Sequence, residues 1–449
     1  MAILVAGLGL SGQAALRFLS QQGSSLFAFD TRPSFDVSGL EQDFPAVTFA
    51  VGHLPDAWVH HLSLLVLSPG IDPNAPWIQA LVAKGVALVG EVELFCRALA
   101  ADKKVIAITG SNGKSTVTTL VGELLEAQGY AVAVGGNLGT PAVDLLLQQP
   151  DADVYVLELS SFQLETTHSL NATSAVVLNI SPDHLDRYGE MATYIAAKAP
   201  IYSMTQLAVV NRDDVLAHSL CPNHVPKVGF GLAEPIQTGD AGIIMHNGQD
   251  WLAVWQIGHD EPEAWFATAD LLLMGRHNWS NCLAAFALCL PLGLTREAAT
   301  RVLKVFTGLS HRAQLVKTVA GVRWVNDSKG TNVGSTLSAL SSLGADAPVI
   351  LLAGGQGKGQ DFSDLAAPLS HYARALIVFG EDAQQIAQAC NGACDIHHVE
   401  TMAQAVTLAN SLAQAGDVVL LSPACASFDQ FRNYGHRGDV FIDCVASLS

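Results

Sequence analysis

Residues 103–129 read KKVIAITGSNGKSTVTTLVGELLEAQG, and the fold is decided there. The β-branched run 105–109 predicts a buried strand, and Leu120, Leu124 and Leu125 predict one face of a helix. Between them Gly110 and Gly113 free the backbone to turn, so that successive N–H groups point at one centre. Such a concavity suits a phosphate. Lys114 then sets an ammonium against the outer phosphates, and Ser115 or Thr116 offers a hydroxyl to Mg²⁺. The helix beyond adds the positive end of its dipole. Strand, Gly-Lys-Ser and helix in that order predict an ATP site on Gly110, Ser111, Asn112, Gly113, Lys114, Ser115 and Thr116, with Ser115 facing the metal.

The chain around this loop has 449 residues, a length that suggests about three domains. Half of its residues are hydrophobic and 7% aromatic, as in an ordinary α/β protein. A net charge of -18, with Lys and Arg scattered, argues against a nucleic-acid partner. The eight cysteines lack paired zinc spacing, and Cys282, Cys289, Cys425 and Cys444, in apolar or small-residue stretches, read as reduced core thiols. Cys425 has no histidine spaced to activate it and reads as packing. The N-terminal stretch lacks a basic leader, and no run reaches the ~20 apolar residues of a membrane span. A cytoplasmic protein without membrane insertion is expected.

Upstream, strand 3–6 enters Gly7-Leu-Gly9-Leu-Ser-Gly12, and strand 25–29 ends at Asp30. This G-x-G-x-x-G fingerprint with an acidic residue after the next strand predicts a diphosphate near the first helix. Alone it favours a nicotinamide-dependent oxidoreductase, but a UDP-linked substrate carries the same diphosphate. Asp30, Thr31 and Arg32 gather an acceptor, a hydroxyl and a guanidinium at a strand's carboxyl end. Strand 64–67 runs into Ser68-Pro-Gly70, which by itself is an ordinary turn.

Downstream, strand 153–157 ends in Glu158, where a neighbour of the phosphate loop can supply a Mg²⁺ ligand. Strand 174–180 leads to Asp183 and His184. The run from Gly275 to Asn281 opens a helix over 281–290, with Asn278 explicable as a cap. Segment 211–270 shows turns and short alternating strands but no legible chemistry. Strand 322–325 precedes Asp327, an acceptor for a ribose hydroxyl, and Lys329, a phosphate partner. Strand 349–353 opens a glycine loop in which Lys358 can receive a carboxylate. Strand 418–421 is the last clear one.

Thr109-Gly110-x-Asn112-Gly113-Lys114-Ser115 has Ile108 where the general phosphate loop has glycine. That tighter form resembles the Mur ligase and folylpolyglutamate synthase superfamily, ATP-dependent enzymes that join an amino acid to a carboxylate. Further runs resemble the Mur ligases: Gly136-Asn137-Leu-Gly139, N-I-x-x-D-H-L-D-R to Arg187, Tyr194-x-x-x-Lys198, G-x-H-N-x-x-N to Asn281, D-S-K-x-T-N to Asn332, and S-P-A-x-A-S-x-D-Q-F to Phe431. The resemblance implies three α/β domains. These are a Rossmann-like UDP-substrate domain over 1–93, a central P-loop ATPase domain over 94–308, and a Rossmann-like C-terminal domain over 309–449. It implies the branch that adds D-glutamate to UDP-N-acetylmuramoyl-L-alanine through an acyl phosphate, with ATP and Mg²⁺, as a monomer.

Residue by residue, the resemblance places Leu10, Ser11, Asp30, Thr31, Arg32, Ser68, Gly70 and Asn137 at the UDP substrate. Asn278, Arg312, Asp327 and Lys329 join the phosphate loop at ATP, with Lys114, His184 and Lys198 catalytic. It assigns metal to Ser115, Glu158, His184 and Lys198, the last as an N-carboxylated lysine, which replaces a repelling ammonium by two anionic oxygens. Thr331, Lys358, Ser427, Phe428 and Tyr434 are assigned to D-glutamate, Tyr434 standing where the family often has Phe. A folylpolyglutamate-type ligase, the oxidoreductase and a non-catalytic nucleotide-binding regulator remain the alternatives.

Overall fold

The computed structural model describes residues 2–273 and 275–448, apart from the Asp186 side chain. Met1 and Ser449, the outer ends of the first and third expected domains, lie outside the described residues, as does Met274. Among the described residues no helix is long and apolar enough to cross a membrane. The chain forms three α/β bodies, each built on its own sheet.

The first sheet holds β1 (Ala2–Ala6), β2 (Leu26–Asp30), β3 (Thr48–Val51), β4 (Leu62–Leu67) and β5 (Ala87–Gly90). All its pairs are parallel, in the order β3-β2-β1-β4-β5. The order reverses between β1 and β4, so a crevice opens at their carboxyl ends, between the loop 7–12 and Ser68. Burial on both faces explains the near-continuous apolar runs of β1 and β4.

The second sheet holds β6 (Lys104–Thr109), β7 (Val132–Gly136), β8 (Val154–Glu158), β9 (Ser174–Val177), β10 (Ala208–Asn211), β11 (Lys227–Phe230), β12 (Ala241–His246), β13 (Gln249–Val254) and β14 (Glu263–Ala267). Its order is β14-β13-β12-β11-β10-β9-β6-β8-β7. β6 lies between β8 and β9, so the phosphate loop leaves a second switch point with Glu158 one strand away. The stretch without legible chemistry includes β12, β13 and β14, an antiparallel meander extending the parallel sheet. The strand expected over 174–180 stops at Val177, because the backbone then turns to meet the phosphate loop.

The helix expected over 281–290 is Arg276–Cys289, one turn and more earlier. Gly275, with φ 89°, turns the chain into it, and Asn278 sits inside the first turn instead of capping it. Every residue from Cys282 to Cys289 is buried, largely against the helix Lys114–Gln128. That apolar face outweighs the poor first-turn propensity of Asn and His.

The third sheet holds β15 (Gln314–Val319), β16 (Val322–Asn326), β17 (Val349–Gly354), β18 (Ala373–Phe379), β19 (Asp395–His398) and β20 (Val418–Leu421), in the order β15-β16-β20-β17-β18-β19. Only β15 runs antiparallel. β20, last in sequence, is inserted between β16 and β17.

The helix Glu91–Ala98 joins the first two bodies, and its own carboxylates stitch it to the second. Glu93 accepts from the N–H groups of His168 (2.7 Å) and Ser169 (2.9 Å). Glu91 Oε1 accepts from the Val143 N–H at 2.6 Å, while its Oε2 is buried with no hydrogen-bond partner among the described residues. Nearby, Arg17 of the first body forks onto Asp144 at 2.5 and 3.1 Å. Burial, with a smaller contribution from Asp144, pushes the Glu91 carboxyl up to about 7. A carboxyl raised in the fold is bound to its proton more tightly there than when unfolded. Its stability contribution is therefore complete below about pH 4.5 and is lost as pH rises through 7, by roughly 3 kcal/mol. Glu91→Gln is expected to flatten that slope. Thermal melts of both proteins at pH 5 and pH 8 check it; equal losses in the two would exclude the assignment.

Candidate active site

The phosphate loop is closed on itself. Lys114 Nζ donates to the carbonyls of Gly110 and Ser111, both at 2.9 Å. Gly113, at φ 82°, begins the helix, and a Cβ there would lie 2.6 Å from Asn281 Oδ1. Ser115 Oγ donates to Glu158 Oε2 at 2.5 Å, and Asn137 Nδ2 donates to Oε1 at 2.6 Å. From the third body, Arg312 Nη2 donates to Ser115 Oγ at 2.7 Å. One hydroxyl and one carboxylate thus touch at the loop's mouth, an all-oxygen pair of the kind a hard cation takes. Among the described residues no three His, Cys, Asp or Glu side chains group to hold a metal, so other oxygens must complete any coordination.

Positive charge converges on that point from two bodies. Burial first, and then Arg312 and Lys114, pull the Lys329 ammonium down to about 8. Lys114 and Arg312 are themselves held below their usual ranges by burial, with Glu158 opposing it. Desolvated cations within each other's field repel, and a polyphosphate relieves that repulsion.

The next wall is the loop after β9. Ser111 Oγ accepts from the Ser181 N–H (2.9 Å) and lies 2.9 Å from the Tyr194 hydroxyl. His184 has φ 55° and packs edge-on against Phe162, with ring centroids 4.8 Å apart. Its Nε2 lies 3.7 Å from Asp183 Oδ2. Lys198 is buried, donates to the Gly110 carbonyl at 3.1 Å, and sits over the Tyr194 ring. Burial, then Lys114, holds its amine well below the ordinary lysine range. Arg187 donates to Glu165 (2.9 Å) and to the carbonyl of Ile71 (3.3 Å), tying the turn that holds Ser68 and Gly70 to this wall.

In the first body the three loop glycines have separate tasks. Gly7 turns at φ 85°, and a Cβ on Gly12 would fall 1.8 Å from the Gly7 carbonyl oxygen. A Cβ on Gly9 would meet no other atom of the described residues within 4 Å, leaving the helix entrance open to a diphosphate. Leu10 is exposed beside it, and Ser11 is half-buried. Ser68 Oγ donates to the Gly7 carbonyl at 2.6 Å. Asp30 is buried and engaged. Oδ2 accepts from the Leu8 N–H (2.9 Å) and Arg32 Nη2 (2.9 Å), and Oδ1 from Arg32 N (3.0 Å) and Nε (2.8 Å). Burial raises its carboxyl, but those bonds together carry it below the usual range. Asp30 therefore shapes the loop and aims the exposed Arg32, while Thr31 faces solvent.

In the third body, burial pushes Asp327 up to about 6, although Ser422 Oγ donates to it at 2.8 Å. Lys329 Nζ lies 4.2 Å from the Tyr434 ring centroid. Lys358, at φ 52°, is exposed, with Nζ 5.9 Å from the Phe428 ring. Phe428 is 63% exposed, a large apolar face left to solvent beside Lys358, whereas Ser427 is buried and Thr331 half-buried. Asn278 is buried and accepts from Asn281 Nδ2 at 2.9 Å. The structure thus gathers Ser115, Asn137, Glu158 and Arg312 by direct contact, Lys114 with the Gly110 and Ser111 carbonyls, and Lys329 with Tyr434.

Sequence reasoning missed several residues that hold these loops. Ser335 reaches the phosphate loop, and Gln360 braces the acceptor-side loops. Asn332 shows a local signal, since its oxygen caps the helix Val333–Gly344 through the Ser335 N–H. Arg437, fully buried, donates to Ser328 Oγ (3.0 Å) and to the Ser328 carbonyl (2.8 Å); a single Arg in a polar helix gives no such signal.

Known proteins match this arrangement throughout. Three family profiles cover the chain: the Mur ligase MurD-like N-terminal domain at residues 1–90, the Mur ligase middle domain at 108–289, and the Mur ligase glutamate ligase domain at 311–425. A UDP-N-acetylmuramoylalanine--D-glutamate ligase of Hydrogenovibrio crunogenus is 49% identical over 98% of this chain and 96% of its own. Relatives of the same name from Methylobacillus flagellatus and Chromohalobacter salexigens are 46% and 47% identical, each over 99% of this chain and 97% of its own. Among solved structures, a pseudomurein peptide ligase type C from Methanothermus fervidus superposes with TM-score 0.62 at 17% identity, over 100% of both chains. The UDP-N-acetylmuramate-alanine ligase MurC of Thermotoga maritima does so with TM-score 0.59 at 18% identity, over 100% of this chain and 99% of its own. With the same three bodies in the same order and near half its residues shared along its whole length, the chain belongs to the Mur ligase family.

Proposed function

We propose that the protein is an ATP-dependent ligase that adds D-glutamate to UDP-N-acetylmuramoyl-L-alanine, acting in the cytoplasm as a monomer. The domains are 1–93 for the UDP substrate, 94–308 for ATP, and 309–449 for the acceptor amino acid. One observation carries the reading: Lys114, Arg312 and Lys329, from two bodies, converge on the Ser115–Glu158 pair. Full-length relatives of that name support the choice of substrates.

The diphosphate lies over Gly9, Leu10 and Ser11, and Thr31, Arg32, Ser68 and Gly70 surround the rest of the nucleotide, with Asp30 fixing Arg32. ATP sits in the loop 110–116, its base toward Asn278, its ribose toward Asp327, its phosphates beside Arg312 and Lys329. The L-alanyl carboxylate attacks the γ-phosphorus and ADP leaves, giving an acyl phosphate. The D-glutamate amine attacks the acyl carbon, phosphate leaves with the C–O bond electrons, and the nitrogen loses a proton. Lys114 keeps its two loop carbonyls and turns its remaining N–H to a phosphate oxygen, and Asn137 holds Glu158 in place. Ser115 and Glu158 would hold Mg²⁺, and His184 with carbamylated Lys198 a second ion; bound there, the metal neutralises phosphate charge. Lys358, Thr331 and Ser427 receive the incoming carboxylates, and Phe428 and Tyr434 wall that pocket.

Phosphate release from ATP, measured against a panel of acceptors and UDP-muramoyl substrates, tests the reading. Release is expected only with both D-glutamate and the L-alanyl nucleotide. Equal release with a pteroyl substrate would favour the folylpolyglutamate alternative, and release with neither would favour a regulator. The occupied Asp30 speaks against the oxidoreductase, whose ribose hydroxyls need that carboxylate; NADH fluorescence is expected to stay unquenched.

A further inference from the structure

The phosphate loop and the acceptor-side loops are joined by a run of hydrogen bonds that passes through the first turn of one helix. Ser335 Oγ lies 2.5 Å from Asn112 Oδ1, across the two bodies, and 2.9 Å from Asn332 Oδ1 in its own. A hydroxyl has one proton, so it can donate to only one of these two acceptors at a time. Gly334 makes the approach possible, because a Cβ there would sit 2.6 Å from Ser181 Oγ. In the same first turn of the helix Val333–Gly344, the Val333 N–H donates to Gln360 Oε1 at 3.1 Å. Gln360 Nε2 in turn donates to the carbonyls of Gly357 (2.9 Å) and Ala424 (3.3 Å). Gly357 precedes Lys358, and Ala424 lies three residues before Ser427. One short helix end therefore touches the nucleotide loop on one side and both acceptor loops on the other.

We propose that Ser335 and Gln360 are positioning residues that couple the nucleotide site to the acceptor-amino-acid site. This rests on the ligase reading above. A phosphate seated in the loop shifts Asn112, and Asn112 decides which acceptor the Ser335 proton serves. Donation to Asn112 draws the helix end, and Gln360 with it, toward the second body; donation to Asn332 releases it. The carbonyls of Gly357 and Ala424 follow Gln360, so the carboxylate-receiving groups are set by what the nucleotide loop holds. Coupling of this kind is reciprocal and commonly worth 5- to 150-fold in affinity, on the order of 1–3 kcal/mol.

The test titrates D-glutamate into the full-length protein by calorimetry, with and without a non-hydrolysable ATP analogue and Mg²⁺. In the wild type the analogue is expected to tighten D-glutamate at least about 5-fold. Ser335→Ala and Gln360→Ala are each expected to lower that factor at least threefold, leaving the analogue's own affinity within about twofold. The double variant is expected to be no worse than the poorer single one, because both break the same run. Ser335→Thr keeps the hydroxyl and is expected to keep the coupling, which a merely structural loss would not predict. A wild-type factor near one, unchanged factors in both single variants, or independent addition in the double would each overturn the proposal. Phosphate release by the wild type, measured alongside, separates this failure from failure of the ligase reading.

Discussion

Lys114→Ala is expected to cut phosphate release with both substrates by at least about 10³-fold, near the upper end of what loss of one charge-stabilising donor costs. The ammonium is already tethered at the point of use, 2.9 Å from two carbonyls of the loop that cradles the phosphates. It therefore needs little reorganisation to meet charge that builds on the transferring group. Arg312 and Lys329 remain in the variant, so weak nucleotide binding should persist while turnover collapses. The fold should survive, because the change removes an ammonium that burial disfavours. Lys114→Arg should recover little, since a planar fork cannot place one compact charge between the same carbonyls. Single-turnover phosphate release and nucleotide affinity are the measurements; a rate within tenfold of wild type would remove Lys114 from the reaction.

If Lys198 carries the proposed carbamate, Lys198→Arg is expected to lower turnover by about 10- to 100-fold or more, at least the cost of losing a partner beside a metal. The same change should erase a ¹³C carbamate resonance that ¹³C-bicarbonate gives in the wild type. Lys198 is enclosed by the Gly110 carbonyl and the Tyr194 ring, and is shielded from water. A neutral amine attacks CO₂ through nitrogen, forming a C–N bond and releasing one proton. The surroundings favour that neutral form, through burial first and Lys114 second. Arginine keeps its charge and cannot make the adduct. A fully active wild-type protein without the resonance would remove the carbamate from the site.

The phosphate loop, Glu158 and the first glycine loop were legible because each is a local pattern: a strand, a turn and a helix within thirty residues. Segment 211–270 showed no legible chemistry; part of it is an antiparallel meander, and Asp214 accepts from the Ile180 N–H in the loop after β9. Asn278 looked like a cap because Asn commonly is one, yet Gly275 turns the chain earlier and the buried helix face decides the start. Asp30 read as an acceptor at a strand's carboxyl end; the fold adds that its oxygens accept from Leu8 and Arg32. Contacts such as Arg312–Ser115 and Ser335–Asn112 span 197 and 223 residues, and no periodicity marks such pairs.

The seating of β20 between β16 and β17 has a consequence for biosynthesis. A ribosome making this chain delivers the middle strand of the third sheet after its neighbours. Until residue 421 emerges, the edges of β16 and β17 stand open, an invitation to wrong pairing. A premature stop between residues 354 and 418 should therefore yield a nascent product that aggregates, however complete its first two bodies are.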